Sequence, residues 1–393
     1  MIFNNARLID GTGRVWEQAA IHVDGAHISA VTGGLEPAAA GMPGQEIVDL
    51  AGKTVMPGLI NAHTHLCLDG SADPAAAWRG RSITENVLVA ANQARDALRA
   101  GITTIRDLGG AQGVDLGLKA AIHDDLIPGP RMLASGLVLC MTGGTAHFIG
   151  RESDGPAELR KGAREQLKAG ADVIKIMATG GVITAGTEPG SAQLTYEEMR
   201  AAVEEANKAG KPAAAHAHGS TGLKNALRAG VLSIEHGTYL DAEAMEMMLA
   251  QGAWLVPTLA PRHHIVDAGT GAGVPAFMVE KARRAGEPQL DSFRRARESG
   301  VRIAAGNDGG TPFNRVDNLA GELECMVGAG MPPAEALHAA HASAAVLLGL
   351  ENLLGTVEPG KLADLVVLDA NPLEDISAVR QVNMVVKDGQ VVN

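Results

Sequence analysis

The feature that most constrains the fold is a repeated alternation, between about residues 57 and 355, of short apolar runs with Ala-, Glu- and Arg-rich amphipathic stretches. This alternation is typical of a parallel sheet whose strands are joined by helices. Eight apolar runs can be placed, in chain order TVMPGLINAH, GITTIRD, RMLASGLVL, ADVIKIMA, KPAAAH, VLSIEH, AWLVPT and VRIAAGND. Eight parallel strands with intervening helices predict an α/β fold of the (β/α)8 TIM-barrel type.

Local signals mark the ends of the predicted helices. Thr195 and Glu198 have the spacing of a capping box, in which each side chain accepts a hydrogen bond from the other residue's backbone N–H. Because glycine often follows the last turn of a helix, five further positions predict helix ends. They are Gly101, Gly170, Gly210, Gly230 and Gly300.

The two ends of the chain have a different pattern. Before residue 57, short β-type runs (AIHV, DGAHISAV and EIVDL) alternate with turns, and near the C-terminus a strand pattern returns in ADLVVLD and NMVVKDGQVV. We therefore predict that residues 1–56 and 356–393 form one composite β-sandwich domain built from both chain ends. Residues 57–355 would form the barrel.

Composition limits the class of partner. A formal net charge of −12 without a basic stretch argues against nucleic acid, because phosphate binding needs a basic face. No apolar run reaches the length of a membrane span, and Cys67, Cys140 and Cys325 have neither CxxC spacing nor the pattern of a disulfide framework. We expect a cytoplasmic protein with reduced thiols that acts on a small molecule.

Metal-capable or ionisable side chains fall at or near the ends of five predicted strands. In a (β/α)8 barrel the active site lies at the carboxyl ends of the strands. The residues in question are His63, His65, Lys175, His216, His236 and Asp308. The period-two geometry of a strand places His63 and His65 on the same side.

Each of these groups alone has an ordinary structural interpretation. A single histidine at a strand end is more often a hydrogen-bonding residue than a ligand, and an HxH pair is only suggestive. Four histidines and an aspartate at strand ends together favour a metal site. Lys175, inside the apolar run VIKIM, must be exposed or paired, or burial must depress its pKa. A neutral buried amine can be chemically modified.

Segments along the chain resemble a known family. VMPGLINAHTHL, DVIKIMATGGV, AAHAHG, IEHGTYLD, AGNDGG and GTVEPGKLADLVVLD are similar to the signature segments of the amidohydrolase superfamily, specifically its prolidase-like branch of metal-dependent dipeptidases and carboxypeptidases, related to imidazolonepropionases. The resemblance spans essentially the whole chain. It implies that Lys175 is carboxylated by CO₂ and bridges two divalent metal ions, usually zinc.

The same resemblance assigns the other ligands. His63 and His65 would bind the more buried ion together with Asp308. His216 and His236 would bind the more exposed ion. His218 lies on the same strand face as the histidine two residues before it, so it stays an alternative ligand; otherwise it is a substrate contact.

Two such ions imply hydrolysis. They make a bridging hydroxide available at neutral pH and polarise the scissile carbonyl. Asp308 would take the proton from the attacking hydroxide and return it to the departing amine. The resemblance also places His147 and Tyr239 near the substrate's α-carboxylate, although a loop histidine without a role in the site is an equal alternative for His147.

Two further expectations concern residues around the site. Arg106 and Asp107, at the end of the second strand, are expected to form a structural ion pair. His263 and His264 lie in a long segment after the seventh strand, where a solvated loop is favoured over a mobile lid.

Three functions are compatible with these residues. The first is hydrolysis of the amide bond of a dipeptide or N-acyl amino acid, with a Xaa-Pro-like or related C-terminal residue. The second keeps the metals but takes a cyclic amide such as an imidazolone, or a non-peptide amide or carbamate. The third is a non-catalytic barrel scaffold, which would usually have lost ligands. Lys175 favours the first, because imidazolonepropionase relatives typically use one metal and lack the bridging lysine. Since family members often form symmetric oligomers, we also expect a homo-oligomer.

Overall fold

The computed structural model describes residues 1–34 and 46–392. The strands in these residues are β1 (Ile2–Ile9), β2 (Val15–Asp24), β3 (His27–Gly33), β4 (Ile47–Asp49), β5 (Thr54–Pro57), β6 (Leu59–Thr64), β7 (Ile102–Asp107), β8 (Arg131–Ala134), β9 (Val138–Cys140), β10 (Gly150–Glu152), β11 (Ile174–Met177), β12 (Ala213–Ala217), β13 (Ser233–His236), β14 (Trp254–Val256), β15 (Arg302–Ile303), β16 (Leu365–Leu368), β17 (Val382–Lys387) and β18 (Gln390–Val391).

The α-helices are α1 (Pro74–Gly80), α2 (Ile83–Arg99), α3 (Val114–His123), α4 (Gly155–Ala169), α5 (Tyr196–Lys208), α6 (Ser220–Ala229), α7 (Ala242–Gln251), α8 (Ala260–Ala268), α9 (Ala276–Glu298), α10 (Leu319–Gly328), α11 (Pro333–Ala340) and α12 (Ala342–Leu348). Short 3₁₀ helices lie at Ala111–Gly113, His147–Ile149, Thr270–Ala272 and Ile376–Arg380. Among the helices of the described residues, none combines the length and the apolar character needed to cross a bilayer.

Strands from both ends of the chain pair in one sheet. Its order is β18-β17-β16-β5-β1-β2-β3, and β4 pairs with β1. The pairing that joins the two ends lies between β5 and β16, where Val55 is opposite Val367 in antiparallel register. Buried side chains from both ends, including Phe3, Leu8 and Leu365, share one hydrophobic cluster. The β-sandwich and the domain boundaries at residues 56 and 356 stay predictions.

The eight predicted apolar runs overlap the strands of two parallel sheets, except β10, which lies between the third and fourth runs and was not predicted. The sheets have the orders β6-β7-β8 and β10-β9-β11-β12-β13-β14-β15, and every strand pair in them is parallel. Backbone hydrogen bonds also join neighbouring segments of the two sheets: the N–H groups of Asp308 and Asp172 donate to the carbonyls of His63 and Ala134, each at 2.8 Å. The predicted α/β class with parallel strands is confirmed.

Helices alternate with the parallel strands, and their boundaries follow the local sequence. Thr195 accepts a hydrogen bond from the backbone N–H of Glu198, and the Glu198 carboxylate accepts one from the N–H of Thr195 at 2.8 Å. This confirms the predicted capping box at the start of α5. The five glycines predicted to end helices all have positive φ, as a turn leaving a helix requires.

Leu365 on β16 tests how far the C-terminal strands stabilise the first sheet. Leu365→Ala should lower the free energy of unfolding by about 2–5 kcal/mol, because it leaves a cavity in a core shared by both chain ends. Urea unfolding followed by circular dichroism measures the loss. The control is Val391→Ala on β18, where the side chain is 42% exposed. Equal effects of the two substitutions would contradict a shared core.

Candidate active site

One group of three side chains meets at the carboxyl end of β6. His63 Nε2 and His65 Nε2 are 3.4 Å apart, and each lies 3.3 Å from Asp308 Oδ1. Burial opposes protonation of His65, but its hydrogen bond with Asp308 raises the His65 pKa overall. Ligand atoms about 2.0–2.1 Å from a tetrahedral zinc ion lie about 3.3–3.4 Å from one another. The three atoms therefore have the spacing of one face of a tetrahedral metal site.

A second group consists of His216, His218 and His236, at the ends of β12 and β13. All three side chains are buried, and one ring nitrogen from each lies within 4.8 Å of the others. His216 Nδ1 and His236 Nε2 are 2.9 Å apart. Because His218 lies in the same group, the geometry is compatible with either His216 or His218 as the ligand.

Lys175 lies close to both groups. Its side chain is 2% exposed, and its Nζ is 3.5 Å from His63 Nε2. Burial lowers the pKa of Lys175 to about 8, although the carboxylates of Glu235 and Asp308 oppose the shift. The neutral amine, which is the form that reacts with CO₂, is therefore far more populated near pH 7 than for an exposed lysine.

Hydrogen bonds fix which ring nitrogen three of the histidines present. His63 Nδ1 donates to the Glu235 carboxylate at 2.8 Å. His65 Nδ1 and His216 Nε2 donate to the backbone carbonyls of Gly109 and Gly180, at 3.2 and 3.1 Å. In a neutral imidazole the other nitrogen then carries a free lone pair. In its neutral form, each ring thus offers an unprotonated nitrogen to its group, as metal ligation requires.

Burial is the largest cause of low pKa values in the two groups. It lowers the pKa of His63, His216, His218 and His236, and the positive charge of Lys175 adds to the effect. Histidine binds metal ions in its neutral form. These four rings are therefore in the ligand form at physiological pH.

The backbone is strained where three site residues leave their strands. His236, Thr258 and Asp308 have φ values of +73°, +47° and +51°. Such conformations cost non-glycine residues free energy, and they persist where the surrounding structure fixes them. Here His236 Nδ1 hydrogen-bonds Thr258 Oγ1 at 2.6 Å. Two strained turns at neighbouring strand ends thus hold one imidazole in place.

A pocket opens over both groups and Lys175. Apart from the histidines, its charged lining side chains are Lys175, Asp308 and Arg262. Much of the remaining lining is apolar and comes from α8, α9 and the turn after β11: Val182, Ile183, Ile265, Ala282 and Ala285. This lining suits a small organic molecule with an apolar part.

Comparison with known proteins identifies the family. The sequence model of the amidohydrolase family matches residues 54–392. The chain belongs to the amidohydrolase family. Ochratoxinase from Aspergillus niger is 33% identical to this amidohydrolase over 359 residues, which cover 83% of this chain and 72% of ochratoxinase. Imidazolonepropionase from Mesorhizobium japonicum is 30% identical over 414 residues, which cover 94% of this chain and 91% of that enzyme.

A solved structure gives the same result at the level of the fold. The crystal structure of a Xaa-Pro dipeptidase with methionine bound in its active site superposes with a TM-score of 0.92 and 34% sequence identity, covering 100% of this chain and 99% of that chain. The predicted membership among prolidase-like amidohydrolases is confirmed. So is the predicted enzyme class, a hydrolase that acts on amide bonds.

Beside the site, the amidohydrolase has a buried charge network that sequence analysis missed. Glu235 is fully buried and binds His63 with one oxygen and Arg106 with the other, at 2.8 and 3.0 Å. Arg106 also donates to the carbonyl of Ala62 at 2.7 Å and to Ser233 Oγ at 3.1 Å. The available signal was an acidic residue inside the apolar run VLSIEH, which burial obliges to have a partner.

The expected ion pair between Arg106 and Asp107 is wrong. Successive residues of a strand point to opposite faces, so the two side chains face different neighbours. Asp107 accepts hydrogen bonds from the backbone N–H groups of Leu66 and Gly109, at 2.7 and 3.1 Å. Since the Gly109 carbonyl accepts from His65, Asp107 helps to position that ring.

The structure places the other candidate residues in different surroundings. His218 lines the pocket, whereas His147 and Tyr239 do not. His147 is exposed and hydrogen-bonds the Gly144 carbonyl at 3.0 Å. The segment that carries His263 and His264 is the helix α8 rather than a loop, and neither residue lines the pocket.

Glu235→Gln tests the buried network. It removes the negative charge that compensates Arg106 and should lower the free energy of unfolding by about 3–5 kcal/mol, as breaking a buried ion pair does. Thermal unfolding in the presence of a chelator measures this without a contribution from bound metal. The matched control is Glu243→Gln on α7, where a 57% exposed side chain pairs with Lys224. A loss no larger than the control's would mean that the network contributes no stability.

Proposed function

We propose that this protein is a binuclear metal-dependent amidohydrolase that cleaves the amide bond of a dipeptide or an N-acyl amino acid. One observation carries the proposal. Two groups of three potential ligands and a buried lysine line one pocket. The spacing of His63, His65 and Asp308 supports a tetrahedral ion at the first group.

The residues present suit a two-metal centre. His63, His65 and Asp308 would hold one divalent ion. His216 and His236 would hold the other, with His218 as the neighbouring alternative. Lys175, carboxylated at Nζ, would bridge the two. Imidazole and carboxylate ligands suit zinc, which is our proposed metal.

Each catalytic role follows from the atoms around the pocket. A bound pair of zinc ions would supply hydroxide at neutral pH and polarise the scissile carbonyl. Asp308 Oδ1 lies beside both His63 and His65 and faces the pocket, so it is placed to accept the proton of the attacking water. It would then return that proton to the departing amine, which is otherwise a very poor leaving group.

Related proteins support the amino-acid half of the substrate. One structural relative is a Xaa-Pro dipeptidase that holds methionine in its active site. Its ligand combines a carboxylate with an apolar side chain, and the pocket described above is similarly apolar and is lined by the cationic side chain of Arg262. We also propose a closed eight-stranded barrel and a separate composite β-sandwich domain. We further propose that the protein is cytoplasmic and forms a homo-oligomer.

Metal content and hydrolysis test the proposed centre together. Wild-type protein loaded with zinc and bicarbonate should hold two ions per chain by mass spectrometry. It should also release free amino acid from at least one member of a panel of Xaa-Pro, Xaa-Arg, Xaa-Lys and N-acyl amino acid substrates. Lys175→Ala should hold fewer than two ions, and hydrolysis should fall by more than about 100-fold, beyond the usual loss for a residue that only supports a metal ligand.

Two controls sharpen the result. Lys208→Ala, at a 63% exposed site on α5, should behave as wild type. Loading without CO₂ or bicarbonate should lower the metal content of wild type but not of Lys175→Ala. Protein that binds no zinc would contradict the centre. If the protein binds two ions but cleaves only cyclic amides or carbamates, the metal centre stands and the proposed substrate is wrong.

A further inference from the structure

Arg262 on α8 lines the same pocket as the two histidine groups. Its side chain is partly buried, and its Nε is fully buried without a hydrogen-bond partner. Within residues 1–34 and 46–392, its guanidinium forms no ion pair with a carboxylate. A buried guanidinium nitrogen without a partner is costly, so such a group in a pocket favours an anionic ligand.

Glu322 is near enough to Arg262 to interact with it electrostatically, but the Glu322 oxygens hydrogen-bond other groups. The buried carboxyl of Glu322 accepts hydrogen bonds from the backbone N–H groups of Leu259 and Ala260, at 2.9 and 2.8 Å, with one oxygen each. Those bonds hold Glu322 to the start of α8. On the other side, Gly286 of α9 has no side chain, and a Cβ there would come within 2.9 Å of Arg262 Nη1. The glycine thus makes room for the guanidinium.

The apolar lining indicates the chemistry of the rest of the ligand. Ile265 follows Arg262 by three residues on α8, so the two side chains share a face. Ala282 and Ala285 line the pocket from α9 with small side chains, and Val182 and Ile183 line it from the turn after β11. A carboxylate bound at Arg262 would therefore be accompanied by an aliphatic side chain.

We propose that Arg262 binds the carboxylate of the amino acid whose nitrogen forms the scissile amide, and that the adjoining apolar lining selects a bulky aliphatic side chain. This assignment rests on the proposed amidohydrolase function. It gives the carboxylate to Arg262 rather than to His147 or Tyr239, which do not line the pocket. A guanidinium suits this role because its planar donors match the two oxygens of a carboxylate.

A matched pair of substrates isolates the carboxylate. N-acetylleucine and N-acetyl-3-methylbutylamine have the same acyl group and the same aliphatic side chain, but only the first has a carboxylate. Zinc-loaded wild type should have the higher kcat/KM for N-acetylleucine. In Arg262→Gln this preference should fall by about 10- to 100-fold, the range for losing a charge-assisted hydrogen bond. Arg262→Lys should retain part of the preference.

The control is Arg283→Gln, an exposed arginine on α9 outside the pocket. It should leave the preference unchanged, which separates a local contact from a general effect of charge. Equal kcat/KM values for both substrates in wild type, or an equal preference in wild type and Arg262→Gln, would overturn the assignment while leaving the hydrolase function intact.

Binding of the amino-acid product tests the role of Arg262 even if no substrate is hydrolysed. By calorimetry, zinc-loaded wild type should bind leucine more tightly than 3-methylbutylamine, and Arg262→Gln should weaken leucine binding by about 10- to 100-fold. If leucine binding depends on Arg262 in this way but neither N-acetylleucine nor N-acetyl-3-methylbutylamine is hydrolysed, the carboxylate site is supported and the proposed reaction is contradicted. Unchanged leucine binding in Arg262→Gln, or no binding of leucine to wild type, would overturn the site.

Discussion

The interaction on which the site depends most is the hydrogen bond between Glu235 and His63. Glu235 holds the Nδ1 proton of this imidazole with one oxygen and the Arg106 guanidinium with the other. The ring is thereby fixed with Nε2 toward His65 and Asp308. Because a carboxylate, a guanidinium and an imidazole are buried together, each compensates the cost of burying the next. The position of one candidate ligand is thus tied to the charge balance of neighbouring strands.

Burial also prepares the chemistry of the other groups. Parallel strands ending at a common edge bring Lys175 and the histidines of β12 and β13 into one buried region, where burial lowers the pKa of each. Neutral imidazoles are ready ligands, and a neutral amine is ready to react with CO₂. The pocket is also lined by the guanidinium of Arg262 on α8, a cationic group. The pocket is thus lined by both the neutral imidazoles and the cationic guanidinium of Arg262.

The sequence predicted what strand geometry alone determines. An HxH pair at a strand end must place both rings on one side, and residues at the carboxyl ends of parallel strands must meet, so the four histidines and Asp308 could be found by position. The role of Lys175 came from the family resemblance instead. Glu235 and Arg262 could not be assigned this way, because their roles depend on contacts between segments far apart in the chain. The Arg106–Asp107 expectation failed for a local reason, since neighbouring residues of a strand face opposite sides. Placing His147 in the pocket depended on the path of a loop, which no periodic pattern fixes.

Crystals of the zinc-loaded protein, with diffraction data collected on both sides of the zinc absorption edge, test the two-metal centre most directly. We expect two anomalous peaks, one among His63, His65 and Asp308 and one beside His216 and His236, with density for a carboxyl group on Lys175 Nζ between them. A single peak, peaks elsewhere, or an unmodified Lys175 amine beside two ions would contradict the bridged centre.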